Sequence, residues 1–141
     1  MTQLQWLLLP LFIHFALLIF VGAKSLFGRI KAVTTGKVRL KDIALATTAW
    51  PEPVRKYGNN FTNQFELPTF WYGICALLVA TSKIDNVEII LSWAFVAFRI
   101  VHSIIHTTSN FVPRRMYAFL MAFICLTLMW VWFGLRLYFI G

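Results

Sequence analysis

The sequence has few charged residues, and it is especially poor in acidic ones. Of its 141 residues only 13% are charged, and five Asp and Glu stand against thirteen Lys and Arg. A typical soluble domain carries about 25% charged residues. Hydrophobic residues make up 60% of the chain, more than a soluble domain of this length can bury. This composition excludes a soluble globular enzyme and a disordered chain.

Cysteine is also scarce. Cys75 and Cys125 each lie inside a long apolar run, and neither belongs to the C-x-x-C spacing that is typical of metal or redox sites. We predict that both are small buried hydrophobic side chains.

The apolar residues are concentrated in four runs, each of the roughly 20 residues that a membrane span needs. No positive residue precedes the first run, and Lys24 follows it instead of a small-residue cleavage site, which predicts an uncleaved anchor. The sequence therefore predicts an all-α integral membrane protein, a four-transmembrane-helix bundle in a single domain over residues 1–141. The predicted spans are residues 4–26, 61–82, 87–108 and 116–138.

Most of the basic residues lie in two loops, which join span one to span two and span three to span four. By the positive-inside rule these loops are cytoplasmic, and both termini lie on the non-cytoplasmic side. Because topology and lipid headgroups account for the basic charge, we expect no nucleic-acid partner. In the long first loop, residues 38–49 predict a short helix on the membrane surface. The basic loop residues are Lys24, Arg29, Lys31, Lys37, Arg39, Lys41, Arg55, Lys56, Arg114 and Arg115.

Several polar side chains lie inside the spans, where they are costly and usually face the protein interior or water. Asn63 and Glu66 share one helix face on span two, and Arg99 and His106 share a face on span three. Four alternating spans bring them to one end of the bundle, beside Arg115 at the start of span four. We predict a cluster of these five residues with an ion pair between Glu66 and Arg99. The excess of arginine over carboxylate indicates an anionic ligand.

The histidines admit other interpretations. His102 and His106 are four residues apart on one helix face, which is compatible with a metal site, and His14 on span one is the only partner available for haem ligation. No matching cysteine or second carboxylate accompanies the pair, so we expect no metal. We predict that His14 forms hydrogen bonds within the bundle.

Three short motifs together resemble the MAPEG family, the membrane-associated proteins in eicosanoid and glutathione metabolism. The segment Asn63-Gln64-Phe65-Glu66 resembles the Asn-x-x-Glu motif that opens the second span of the family. The segment Arg99-Ile100-Val101-His102 resembles the Arg-x-x-His motif of its third span, and Asn110-Phe111-Val112-Pro113-Arg114-Arg115 resembles its entry into span four. The motifs follow the family's order and spacing, and the resemblance covers essentially the whole chain.

The resemblance implies a homotrimer that binds glutathione, as co-substrate, between neighbouring subunits at the cytoplasmic side. Asn63, Glu66 and Arg99 match glutathione-binding positions of the family. Arg115 matches the arginine that lies near the glutathione sulfur in catalytic members, and Arg29 falls near a basic residue at the end of span one that helps bind glutathione.

Two positions depart from many catalytic members of the family. The chain has Asn59 where they have an arginine, and His106 where they commonly have a tyrosine. The histidine pattern resembles a bacterial branch of the family, which implies a location in the bacterial inner membrane.

The resemblance also implies which residues act on the ligand. We predict Arg115 and His106 as catalytic residues: Arg115 would stabilise the glutathione thiolate, and His106 would donate a hydrogen bond or accept the proton. The other motif residues, His102, Asn110 and Arg114, complete the predicted binding site.

The predicted function is a glutathione-dependent transferase or peroxidase that acts on lipophilic electrophiles reaching it from the bilayer. Two alternatives stay open. One is a non-catalytic member of the family that binds lipid or glutathione. The other is a structural subunit of a membrane complex, in which the polar cluster only holds helices together.

Overall fold

A computed structural model describes residues 1–44 and 48–140 of the chain. These two ranges are largely helical and contain no strand. The helices are α1 (Gln3–Thr34), α2 (Leu40–Ile43), α3 (Glu52–Asn63), α4 (Leu67–Ala80), α5 (Asn86–Thr107) and α6 (Val112–Leu135), followed by a π-helical segment, Arg136–Ile140.

Helix α1 is longer than the span predicted over residues 4–26, because it continues for about two turns beyond the apolar run. Pro10 lies inside this helix and has no N–H to donate to the carbonyl of Trp6. The indole Nε1 of Trp93 donates to that carbonyl oxygen at 3.1 Å instead. Helix α5 therefore satisfies the acceptor that the proline leaves free.

The span predicted over residues 61–82 is divided between two helices in the structure. Helix α3 ends at Asn63 and α4 begins at Leu67. Glu66 has a non-helical backbone, with φ −81° and ψ −96°, and Pro68 occupies the first turn of α4. Proline has no N–H with which to continue the hydrogen bonds of α3. The break consequently exposes the carboxyl end of α3 inside the bundle.

One end of the bundle, the turn end, carries the N-terminus, the turn at residues 81–85 and the π-helical segment. Gln3 Nε2 donates to Asn86 Oδ1 at 3.4 Å. Arg136 Nη1 forms an ion pair with Asp85 Oδ2 at 2.9 Å. These contacts hold the starts of α1 and α5 and the end of α6 together.

The opposite end, the loop end, carries the connection between α1 and α3 (residues 35–51) and the connection between α5 and α6 (residues 108–111). Lys56 Nζ donates to the carbonyl oxygen of Thr108 at 3.2 Å. Helix α1, the pair α3 and α4, α5 and α6 therefore run alternately between the turn end and the loop end, as predicted.

The core lies between α1, α4, α5 and α6. The rings of Trp71 and Phe95 are stacked with centroids 4.8 Å apart, and Trp71 Nε1 donates to Ser92 Oγ at 3.1 Å. Cys75 and Cys125 are buried and free, which confirms the prediction made for them.

Within residues 1–44 and 48–140, three helical stretches are long and apolar enough to cross a membrane: α1, α5, and α6 with its π-helical extension. Helix α4 is apolar but has only 14 residues, a rise of about 21 Å against a hydrocarbon core of about 30 Å. Large apolar side chains such as Phe12, Phe27 and Ile90 are about two-thirds exposed. The molecule is an integral membrane protein whose apolar outer surface suits lipid.

The surface helix predicted over residues 38–49 is found only in part. Helix α2 covers Leu40–Ile43 and buries none of its residues. Residues 45–47 lie outside the described residues.

Candidate functional site

A polar cleft of about 310 Å³ lies between the α3–α4 break, the last turns of α5 and the first turns of α6. It is open to the surface of the molecule. The cleft brings together four of the five residues of the predicted cluster; only Arg99 is not on its wall. The lining residues are Asn63, Glu66, His102, His106, Val112, Arg115, Met116 and Phe119.

Arg115 is held in position by the turn that precedes α6. Its Nη1 donates to Asn110 Oδ1 at 2.6 Å. Asn110 has φ +51°, in the left-handed region that asparagine tolerates better than most residues, and its own N–H donates to the carbonyl of Ile105 at 2.7 Å. The same residue thus reverses the chain and orients the arginine.

The two histidines line the opposite wall, on consecutive turns of α5. His102 Nδ1 donates to the carbonyl oxygen of Arg115 at 3.1 Å, so Nδ1 carries a hydrogen. His102 Nε2 and His106 Nδ1 are buried without a hydrogen-bond partner. Among the described residues, neither nitrogen is used to hold the histidine rings in place, so both keep hydrogen-bonding capacity.

The predicted ion pair between Glu66 and Arg99 is wrong. Arg99 Nη2 instead donates to the backbone oxygen and to Oδ1 of Asn63, both at 2.8 Å, and to Gln64 Oε1 at 3.2 Å. Asn63 Nδ2 in turn donates to Glu66 Oε2 at 2.6 Å. The physical reason is the helix break: a cation is favoured at the exposed carbonyls that end a helix, and the end of α3 provides them. Asn63 therefore separates the arginine from the carboxylate.

Arg99 lies behind the cleft rather than on its wall. Its side chain is fully buried, and its Nε and Nη1 have no partner in the described structure. The cleft surface consequently carries one guanidinium, that of Arg115, and one carboxylate, that of Glu66, with the second guanidinium buried behind Asn63.

A buried hydrogen-bond network that the sequence did not reveal supports the α3–α4 break. Gln64 Nε2 donates to Asn60 Oδ1 at 2.7 Å, and Asn60 Nδ2 donates to Ser103 Oγ at 2.6 Å. His14 Nε2 lies 3.0 Å from Gln64 Oε1, and its Nδ1 lies 3.0 Å from the hydroxyl of Tyr72. His14 is therefore hydrogen-bonded within the bundle, as predicted. The one available signal was the i, i+4 spacing of Asn60 and Gln64 beside an apolar run.

Four predicted binding residues do not line this cleft: Arg99 lies behind it, Asn110 holds Arg115 from the turn, and Arg29 and Arg114 lie elsewhere. Arg29 lies over the ring of Trp50, with its Cζ 5.5 Å from the centroid, and lines a different groove between α1 and α3. Arg114 lies over the ring of Phe111 at 5.6 Å and lines a groove on another face of α6. Asn59 is exposed.

No group of three or more His, Cys, Asp or Glu in the described residues is arranged to hold a metal ion. The cleft instead offers hydrogen-bond donors and acceptors of both charges, which suits a small zwitterionic or anionic organic ligand.

Fold and cleft together define an integral membrane protein, a helical bundle with a polar ligand-sized cleft near one end. The sequence model of the MAPEG family matches residues 7–135, nearly the whole chain. The chain therefore belongs to the MAPEG family, which confirms the resemblance seen in its motifs. No curated protein and no solved structure gives a match.

Proposed function

We propose that this MAPEG protein binds glutathione in the cleft and uses its thiolate against lipophilic electrophiles. The observation that carries the proposal is the position of Arg115. Its guanidinium is fixed by Asn110 on the wall of a cleft that also holds Glu66 and His106. Family membership supports glutathione as the ligand class.

The chemistry of glutathione fits these side chains. It carries an ammonium group, two carboxylates and a thiol. Glu66 accepts one hydrogen bond from Asn63 and has oxygen lone pairs left for an ammonium. A guanidinium beside the sulfur favours the thiolate over the thiol, whose ordinary pKa is about 8.5. Among the described residues that line the cleft, Arg115 is the cation available for that role.

The proposed reaction is a substitution. The glutathione thiol gives its proton to His106 or to water, and the thiolate stays paired with Arg115. The sulfur electron pair forms a carbon–sulfur bond at the electrophilic carbon, whose leaving group departs with its bonding electrons. Peroxide reduction at the same site would consume two glutathione molecules, giving a disulfide, an alcohol and water.

The volume of the cleft favours a site that neighbouring subunits complete. At about 310 Å³ it lies at the small end of the roughly 300–1,000 Å³ found for ligand pockets. In the proposed homotrimer, Arg29 of a neighbouring subunit would supply the missing wall. The loop end would face the cytoplasm and both termini the other side, with α3 and α4 together making a fourth crossing. The excess of basic residues at the loop end supports this orientation.

A non-catalytic binding protein is the second candidate. It is favoured by His106, which stands in place of the tyrosine common in catalytic members, and by Asn59, which stands in place of an arginine. Such a protein would bind glutathione or lipid without turnover.

Turnover measurements separate the two candidates. Purified protein in detergent is assayed with glutathione and a chlorodinitrobenzene, alongside Arg115→Ala. Loss of one charge-stabilising donor should lower kcat by at least about 100-fold, with a much smaller change in KM for glutathione. The matched control is Arg39→Ala, which removes an exposed arginine paired with Asp42. Wild-type protein that binds glutathione without turnover would establish the binding function instead.

A further inference from the structure

Arg114 and Arg115 are adjacent in the sequence but serve different surfaces. Successive residues of an α-helix point about 100° apart, so Arg115 lines the polar cleft while Arg114 lines a groove between the outer faces of α5 and α6. That groove has a volume of about 450 Å³. Except for Arg114, its walls are almost entirely apolar, with Val101 and Ile105 on one side and Tyr117 on the other.

No carboxylate pairs with Arg114. The chain has five acidic side chains, all within the described residues, and three of them form ion pairs with other cations. A fourth accepts a hydrogen bond from Asn63, and the fifth is buried in α5 near the turn end. Arg114 is exposed at the loop-end mouth of the groove and lies against the ring of Phe111. The three paired acidic residues are Asp42, Glu52 and Asp85. The fourth is Glu66 and the fifth is Glu88.

We propose that this groove binds one anionic phospholipid, with an acyl chain along the groove and the phosphate against Arg114. An apolar groove on a membrane-embedded face suits a lipid chain, and a guanidinium is a strong partner for phosphate. The net charge of +8 adds attraction for an anionic headgroup.

A second copy of the chain fits the groove less well than a phospholipid does. It would cover the Arg114 guanidinium, and a buried arginine needs a carboxylate or several acceptors. Three of the five carboxylates of the chain already pair with cations, Glu88 is fully buried, and Glu66 accepts from Asn63 on the wall of the polar cleft. Charge complementarity therefore favours lipid phosphate.

Native mass spectrometry of the full chain tests the proposal. Delipidated protein is incubated with equal amounts of phosphatidylglycerol and phosphatidylcholine that carry the same acyl chains. Because one basic residue near an anionic headgroup contributes about 1 kcal/mol, the wild type should retain phosphatidylglycerol about fivefold better. Arg114→Gln should abolish that preference. Val101→Trp, a change at a half-exposed position on the groove wall, should reduce the retention of both lipids.

Arg55→Gln is the matched control, because it removes an exposed arginine from α3 with the same change in charge. It should retain the lipid preference. Equal retention in Arg114→Gln and Arg55→Gln would overturn the proposal. Two other results would also overturn the proposal. One is that inorganic phosphate displaces the bound lipid as effectively as added phosphatidylglycerol does. The other is that Val101→Trp changes the oligomeric state in the same spectra while it retains lipid normally.

Discussion

We expect Arg99 to stabilise the α3–α4 break, because its Nη2 donates to the carbonyl that ends α3, and the effect of removing it can be assigned a magnitude. Its Nη2 lies within hydrogen-bonding distance of three acceptors, two on Asn63 and one on Gln64. Because this nitrogen carries only two hydrogens, it makes about two full hydrogen bonds. Each bond to a charged donor contributes about 1.5–3 kcal/mol. Arg99→Met also removes Nε and Nη1, which are buried without partners, and this offsets part of the loss. We expect a net destabilisation of about 2 kcal/mol.

The assay is reversible unfolding in mixed micelles, followed by circular dichroism. Arg55→Met is the control, because Arg55 lies exposed on α3 and its replacement should change the free energy of unfolding by less than about 0.5 kcal/mol. Equal stability of Arg99→Met and Arg55→Met would refute the conclusion that Arg99 holds the end of α3.

Two further predictions concern the glycines and the turn before α6. Gly73→Ala, with open space around the new methyl group, should stabilise the protein by about 0.5–1 kcal/mol through helix propensity. Gly22→Ala should gain less or lose stability in the same unfolding assay, because its methyl would lie 2.9 Å from the Phe61 ring. Asn110→Gly should keep the turn but release Arg115, so kcat falls while stability changes little; an unchanged kcat would contradict the positioning role of Asn110.

The sequence predicted the helical architecture and most of the cleft. Periodicity placed His106 on an inward-facing surface of α5, and the alternation of the spans brought it to one end of the bundle with Glu66 and Arg115. Both inferences depend only on helix geometry and on the cost of burying polar groups in lipid, which a sequence displays directly.

The partners of Arg99 could not be predicted from the sequence. Pro68 indicates a helix start or a kink near that position, but a hydropathy window averages over residues 64–66 and does not show that α3 ends at Asn63. If the helix were continuous, Glu66 would be the obvious partner for Arg99. Because the helix breaks, the carbonyl oxygen of Asn63 is free to accept, and Arg99 Nη2 donates to it. The separate directions of Arg114 and Arg115 follow from the 100° helical step, but the groove that Arg114 meets depends on how α5 and α6 pack.

We propose that Arg115 holds glutathione as a thiolate in the cleft. An ultraviolet difference titration of the purified protein with glutathione tests this role, because the thiolate absorbs where the thiol does not. We expect a saturable thiolate band in the wild type and in Arg39→Ala, and no band in Arg115→Ala. A band of equal size in Arg115→Ala, or no band in a wild type shown to bind glutathione, would contradict it.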